Sequence, residues 1–155
     1  MKRQPTGGVL RAVLARRRDL GVVFEALCWL GWAALVLRCC SFERVQIYLR
    51  PRVAGRQACR SVPASLQRVR WAVAACARRL PWPARCFHQG MAAQRMLCRR
   101  GIAAELCYGV RKLPAGSARD SDAHVWVVAG DSVVTGAESV PEFREIMRFK
   151  PRSAA

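Results

Sequence analysis

Histidine is nearly missing from this sequence, which holds only His88 and His124 in 155 residues. With so few imidazoles, and no C-x-x-C pair among its eight cysteines, the sequence argues against a zinc site of ordinary spacing. A Gly-rich phosphate loop of the Walker type is also lacking, so nothing assigns ATP, and neither cofactor nor metal is expected. Internal repeats and low-complexity tracts are absent. At this length the chain is one domain, residues 1–155, with no room for a second enzymatic unit. Acidic residues are scarce: 10 Asp and Glu stand against 27 Lys and Arg, a net charge of +17. That field would draw in nucleic acid, an anionic membrane surface or an acidic peptide, without choosing among them. Aromatics are sparse in the Arg-rich stretches, where base stacking would need them, so no nucleic-acid partner is expected. The clusters Arg16-Arg17-Arg18, Arg78-Arg79 and Arg99-Arg100 fall mostly at expected helix ends, where they complement the helix dipole.

What is present is a folding sequence, 52% apolar. The cysteines are scattered through apolar segments with no regular frame. They read as small buried hydrophobes in a reducing, cytoplasmic setting. The run 20–37, LGVVFEALCWLGWAALVL, is barely long enough to span a bilayer. It carries Glu25, and basic residues flank it on both sides without positive-inside asymmetry. It reads as a buried or interfacial helix, with peripheral membrane contact left open. No small-residue cleavage site follows it, so a cleaved signal peptide is not expected.

After a ten-residue arm, the periodicity predicts helices over a region from 9 to 80. One or two span 9–37, with Asp19 a plausible cap between them; another covers 41–49, and one runs from Pro63 to Leu80. Pro81-Trp82-Pro83 breaks the pattern, and a helix then runs from Cys86 to Arg100, with Gly101 as its left-handed cap. From Ile102 the period becomes two. Strands are expected at 104–110 and 124–128, then a turn at Ala129-Gly130-Asp131-Ser132 into Val133-Val134-Thr135. The tail after Pro141 reads as a short amphipathic element and a frayed end. The fold class is therefore α+β: N-terminal helices, then a core over 81–140 in which a Cys-bearing helix packs on a small antiparallel sheet.

Cys86 is the only thiol that follows a proline-bounded turn and begins a helix. Free backbone N–H groups and the positive dipole end favour a thiolate there, and Arg85 adds charge. His124, on a later strand, is the candidate base; His88, two residues past Cys86 on the same helix, points away from it. A third group should orient the imidazole. If Val128 pairs with Val133, His124 faces Ala137, which favours Glu138; Asp131, Asp120 and Asp122 remain open.

The joined motifs WPARCFHQGMAAQRMLCRRGI, AELCYGVRK and DAHVWVVAGDSVVTGAE, between Leu80 and Glu138, resemble the transglutaminase-like cysteine proteases of lasso peptide biosynthesis, known as B proteins. The resemblance implies a transglutaminase/papain-like core and an intracellular endopeptidase that removes the leader from a ribosomally made lasso precursor peptide. It places Cys86 as nucleophile and His124 as base. The family's usual Asp after the His strand is replaced by Thr135-Gly136-Ala137-Glu138, leaving Glu138 or a displaced acid. Because the first eighty residues read as helices, the three-stranded leader-recognition domain is expected on a separate protein. An asparagine-synthetase-like macrolactam synthetase would use the product. Two other classes are a different transglutaminase-like acyl or amide transferase, and a non-catalytic basic nucleic-acid-binding protein.

Overall fold

The structure, a computed structural model, describes residues 7–54, 62–113 and 121–152, with side chains from Asp19 onward. Among the described residues four helices precede the sheet: α1 Gly7–Cys39, α2 Phe42–Tyr48, α3 Val62–Ala77 and α4 Cys86–Arg99. Strands β1 Glu105–Lys112, β2 Ser121–Ala129, β3 Ser132–Thr135 and β4 Arg144–Phe149 follow, with a 3-10 turn at Ala137–Glu142 before the last. The sheet is antiparallel throughout, in the order β3-β2-β1-β4. The α+β class is as the sequence implies.

Helix α1 is continuous, with no break at Asp19 or Gly21, and is already formed at Gly7. Its inner face, Ala26, Leu30 and Ala33, is fully buried at helical spacing. Its outer face leaves Leu20, Phe24, Leu27 and Leu35 exposed. By length and composition the segment Asp19–Cys39 could cross a membrane, and only 22% of its apolar window is buried within the protein. Glu25, the charge inside this run, has a partner: both carboxylate oxygens accept from Arg100 at the end of α4, at 3.1 and 2.5 Å. Arg99 lies 3.7 Å away.

The third helix stops at Ala77, short of the expected Leu80. Arg79 N–H bonds back to Cys76 O at 2.9 Å, a tightened last turn that ends the helix ahead of the proline pair. Gly101, at φ 73°, closes α4 as expected. In α4 the glycine at position 90 sets the packing distance, because a Cβ there would lie 2.8 Å from Val125 Cγ1 on β2. The helix thus sits close over Leu106, Val125 and Val127, all buried.

The tail departs most from expectation. Residues 144–149 form β4, the partner of β1, with Leu106 opposite Phe149 and Phe149 buried. The chain beyond it still pairs, Arg152 N–H donating to Pro51 O at 2.8 Å and Val53 N–H to Arg152 O at 3.0 Å. The strand was hidden because, as an edge strand, it buries only Phe149, while Arg144, Glu145 and Arg148 break the apolar run and Ile146 and Met147 lie exposed.

One buried amide joins these parts. Gln94 is 1% exposed, and its Nε2 donates to the carbonyls of Leu49, Ala104 and Phe149 at 3.1–3.2 Å. It ties the end of α2, the entry to β1 and the end of β4 to α4. Gln94→Leu keeps the bulk but leaves three buried carbonyls without this donor. It is expected to cost about 3 kcal/mol of unfolding free energy, read from urea denaturation.

Candidate active site

Cys86 is the first residue of α4 and is half-buried. The turn before it is pinned twice: Gln89 Nε2 donates to Ala84 O at 2.8 Å, and Arg85 N–H bonds to Pro83 O at 3.0 Å. No side chain caps the helix, so its leading N–H groups are open to a ligand oxygen. Gln89 N–H is already taken by Arg85 O.

The other thiols are placed differently. Burial pushes the Cys76 and Cys98 thiols up, and Cys107 is pushed up to about 11 by burial and then by Glu145. Three buried, protonated thiols are poor nucleophiles. Cys28 and Cys39 are exposed on α1, and Cys40 is half-buried just past its end, all three away from the sheet. Cys59 lies outside the described residues.

His124 stands near the start of β2, opposite Gly109 of β1. Phe143 and Trp126 flank the imidazole with centroids at 5.1 and 6.1 Å, Trp126 nearly parallel to it. Arg111 lies over the Phe143 ring at 4.8 Å, and ion pairs with Asp122 and Glu142 hold it there. The ring is thus fixed by an aromatic wall that is itself anchored.

The orienting group is a backbone carbonyl. His124 Nε2 lies 2.9 Å from Gly136 O. A carbonyl oxygen only accepts, so Nε2 carries the hydrogen and Nδ1 holds the free lone pair. The expected pairing of Val128 with Val133 is present, but a bulge between Val127 and Val128 shifts the register, so that Thr135 pairs with Val127. Gly136 then turns into the left-handed region at φ 76°, ending β3. Continued past Thr135, the shifted register sets Gly136 level with Trp126, so the His124 imidazole reaches the Gly136 carbonyl diagonally, and Ala137 is no longer the residue opposite it.

The candidate acids divide as follows. Glu138 is exposed on the 3-10 turn, and among the described residues it makes no hydrogen bond to His124. Asp122 is held by Arg111 at 3.2 Å, and Asp131 sits in the turn at the far end of the hairpin. Asp120 lies outside the described residues. Sequence reading missed Gly136 and Phe143. The one available signal was a glycine directly after a strand, two residues before an acid.

The helix start and the histidine belong to one end of the sheet. Gln89, one turn past Cys86, lines a cavity of about 190 Å³ together with Gly136 and Glu138. Among the described residues no hydrogen bond joins Cys86 to His124. His88 faces elsewhere: its Nδ1 is buried without a hydrogen-bond partner. Burial, and then Arg85, holds its pKa below the ordinary 6.5. A half-buried histidine whose pKa is lowered in this way stabilises the fold above its ordinary pKa, and that contribution is lost as pH falls through the lowered folded value. The thermal midpoint should therefore fall as pH drops below about 6.5, and His88→Phe should flatten that acid limb, read by scanning calorimetry.

No group of three or more His, Cys, Asp or Glu side chains able to hold a metal occurs among the described residues. A family model described as the Transglutaminase-like superfamily matches residues 27–148. Searches of curated proteins and of solved structures gave no significant match.

Proposed function

This chain belongs to the transglutaminase-like superfamily, whose members are usually cysteine proteases or acyl transferases, and from that premise we propose that it is a cysteine endopeptidase removing the leader from a lasso peptide precursor. What supports the reading is the joint placement of Cys86 at an uncapped helix start and of His124, held with Nδ1 free, at the same end of the sheet. The sequence motifs around both residues, which resemble the lasso leader peptidases, narrow the substrate class.

In this reading His124 Nδ1 takes the Cys86 proton. The sulfur bonds to the scissile carbonyl carbon, and N–H groups of the first turn of α4 receive the oxyanion. The imidazolium returns its proton to the leaving amine as the C–N bond breaks. Water then cleaves the thioester and restores the thiol. Recognition of the leader falls to a separate protein, the freed amine passes to an asparagine-synthetase-like macrolactam synthetase, and the reaction is cytoplasmic.

The test mixes this protein with a lasso precursor peptide and a leader-recognition protein, and follows products by mass spectrometry. Two fragments summing to the precursor plus one water support hydrolysis. A product joined to an added amine, with no hydrolysed fragment, would make the chain an acyl transferase instead.

A further inference from the structure

We propose that the cavity beside Cys86 and His124 is a cationic subsite that takes an acidic side chain of the peptide substrate. The inference rests on the protease reading and specifies what its groove selects. One wall is α3 and its last turn, presenting Arg70, Ala74 and Arg78. The other is Val134, Thr135, Gly136 and Glu138, and Gln89 of α4 closes the end toward Cys86.

Two observations point to an anionic ligand. First, the Arg70 and Arg78 side chains are exposed and, among the described residues, form no ion pair or hydrogen bond, whereas Arg68, Arg99, Arg100, Arg111 and Arg148 are each paired with a carboxylate. Second, Thr135, only 9% exposed, has a buried hydroxyl with no hydrogen-bond partner. Such a hydroxyl is left unsatisfied at a cost unless something arrives to pair with it. A carboxylate supplies acceptors for a guanidinium fork and for the Thr135 hydroxyl once that side chain turns about χ1 to present it to the cavity. Glu138 is the one carboxylate in the lining; it is exposed and offsets one of the two positive charges.

The scale restricts where the acid lies. Positions 70 and 78 are about 12 Å apart along a helical path, the length of about four residues of extended peptide. Gln89 is one helical turn from Cys86, so the recognised Asp or Glu lies within about four residues of the scissile bond.

The experiment uses the full chain with Cys86→Ala, which cannot turn over, immobilised and panned against a random octapeptide library. Enrichment of Asp or Glu at one position is expected. A synthetic pair differing only by Glu or Gln at that position should differ in Kd by about 10- to 100-fold, the range for a hydrogen bond to a charged group. Adding Arg70→Glu and Arg78→Glu should abolish the difference or turn it in favour of Lys. Equal residual affinity of both proteins for the Gln peptide will show that the variant is folded. No acidic enrichment, or enrichment that survives the double substitution, overturns the subsite. The protease reading fails separately, if cleavage of the precursor does not depend on Cys86.

Discussion

Cys86→Ala is expected to lower the rate of leader removal by at least about 10⁴-fold, with the thermal midpoint unchanged to within a few degrees. In the proposed mechanism the size follows from the removal of the attacking sulfur. Without sulfur no thioester forms, and the oxyanion donors and bound substrate alone leave a small residual rate. His124→Ala should cost a similar factor, and the double variant little more, because groups that act as one unit do not add. Cys76 and Cys98 cannot substitute, since burial holds both protonated. Cys86→Ala thus separates a thiol mechanism from binding alone in one assay, by product mass spectrometry against time.

Gly136→Ala is the second large effect, and it acts through the histidine. A Cβ at 136 would lie 2.8 Å from His124 Nε2, 2.8 Å from Val125 O and 3.1 Å from Trp126 Cβ. The imidazole is the softest of the three and yields first, while the contact with Val125 O requires the turn after β3 to shift as well. Displacing a catalytic group by about 1 Å can cost about 10²-fold, and we expect a fall in kcat of that order with KM little changed. The φ of 76° adds strain of its own, about 1–3 kcal/mol for a residue with a side chain. Gly130→Ala serves as the control: Gly130 has φ 57° in the turn between β2 and β3, with open space around it. It should lose stability to the strain of its φ alone and keep its activity. A fall in kcat for both variants would trace the effect to folding, not to the imidazole.

Much of this site was legible in the sequence, and the illegible part has a physical cause. The proline break before Cys86, the amphipathic run to Arg99 and the left-handed glycine at 101 are local signals, fixed by steric rules over a few residues. The turn at Gly130-Asp131 is local too. What orients His124 is not. A one-residue bulge between Val127 and Val128 moves Ala137 out of the place opposite the imidazole, which reaches diagonally to Gly136 O, and a bulge carries no periodicity to read. The expectation of a carboxylate rests on side chains, whereas the observed partner is a main-chain oxygen, which every residue possesses. Strand β4 was hidden likewise, because an edge strand with one buried residue imitates a charged tail. The cavity beside the site joins Arg70 and Arg78 to Thr135, more than fifty positions away, which only the folded chain brings together.

The measurement that bears most directly on the mechanism is capture of the acyl-enzyme. Wild-type protein mixed with precursor and recognition protein is quenched in acid within the first turnover, digested, and mapped by tandem mass spectrometry. The account predicts the leader fragment attached as a thioester to the peptide containing Cys86, and no such adduct in Cys86→Ala. Leader attached to another cysteine, or full-rate cleavage by Cys86→Ala, would contradict it.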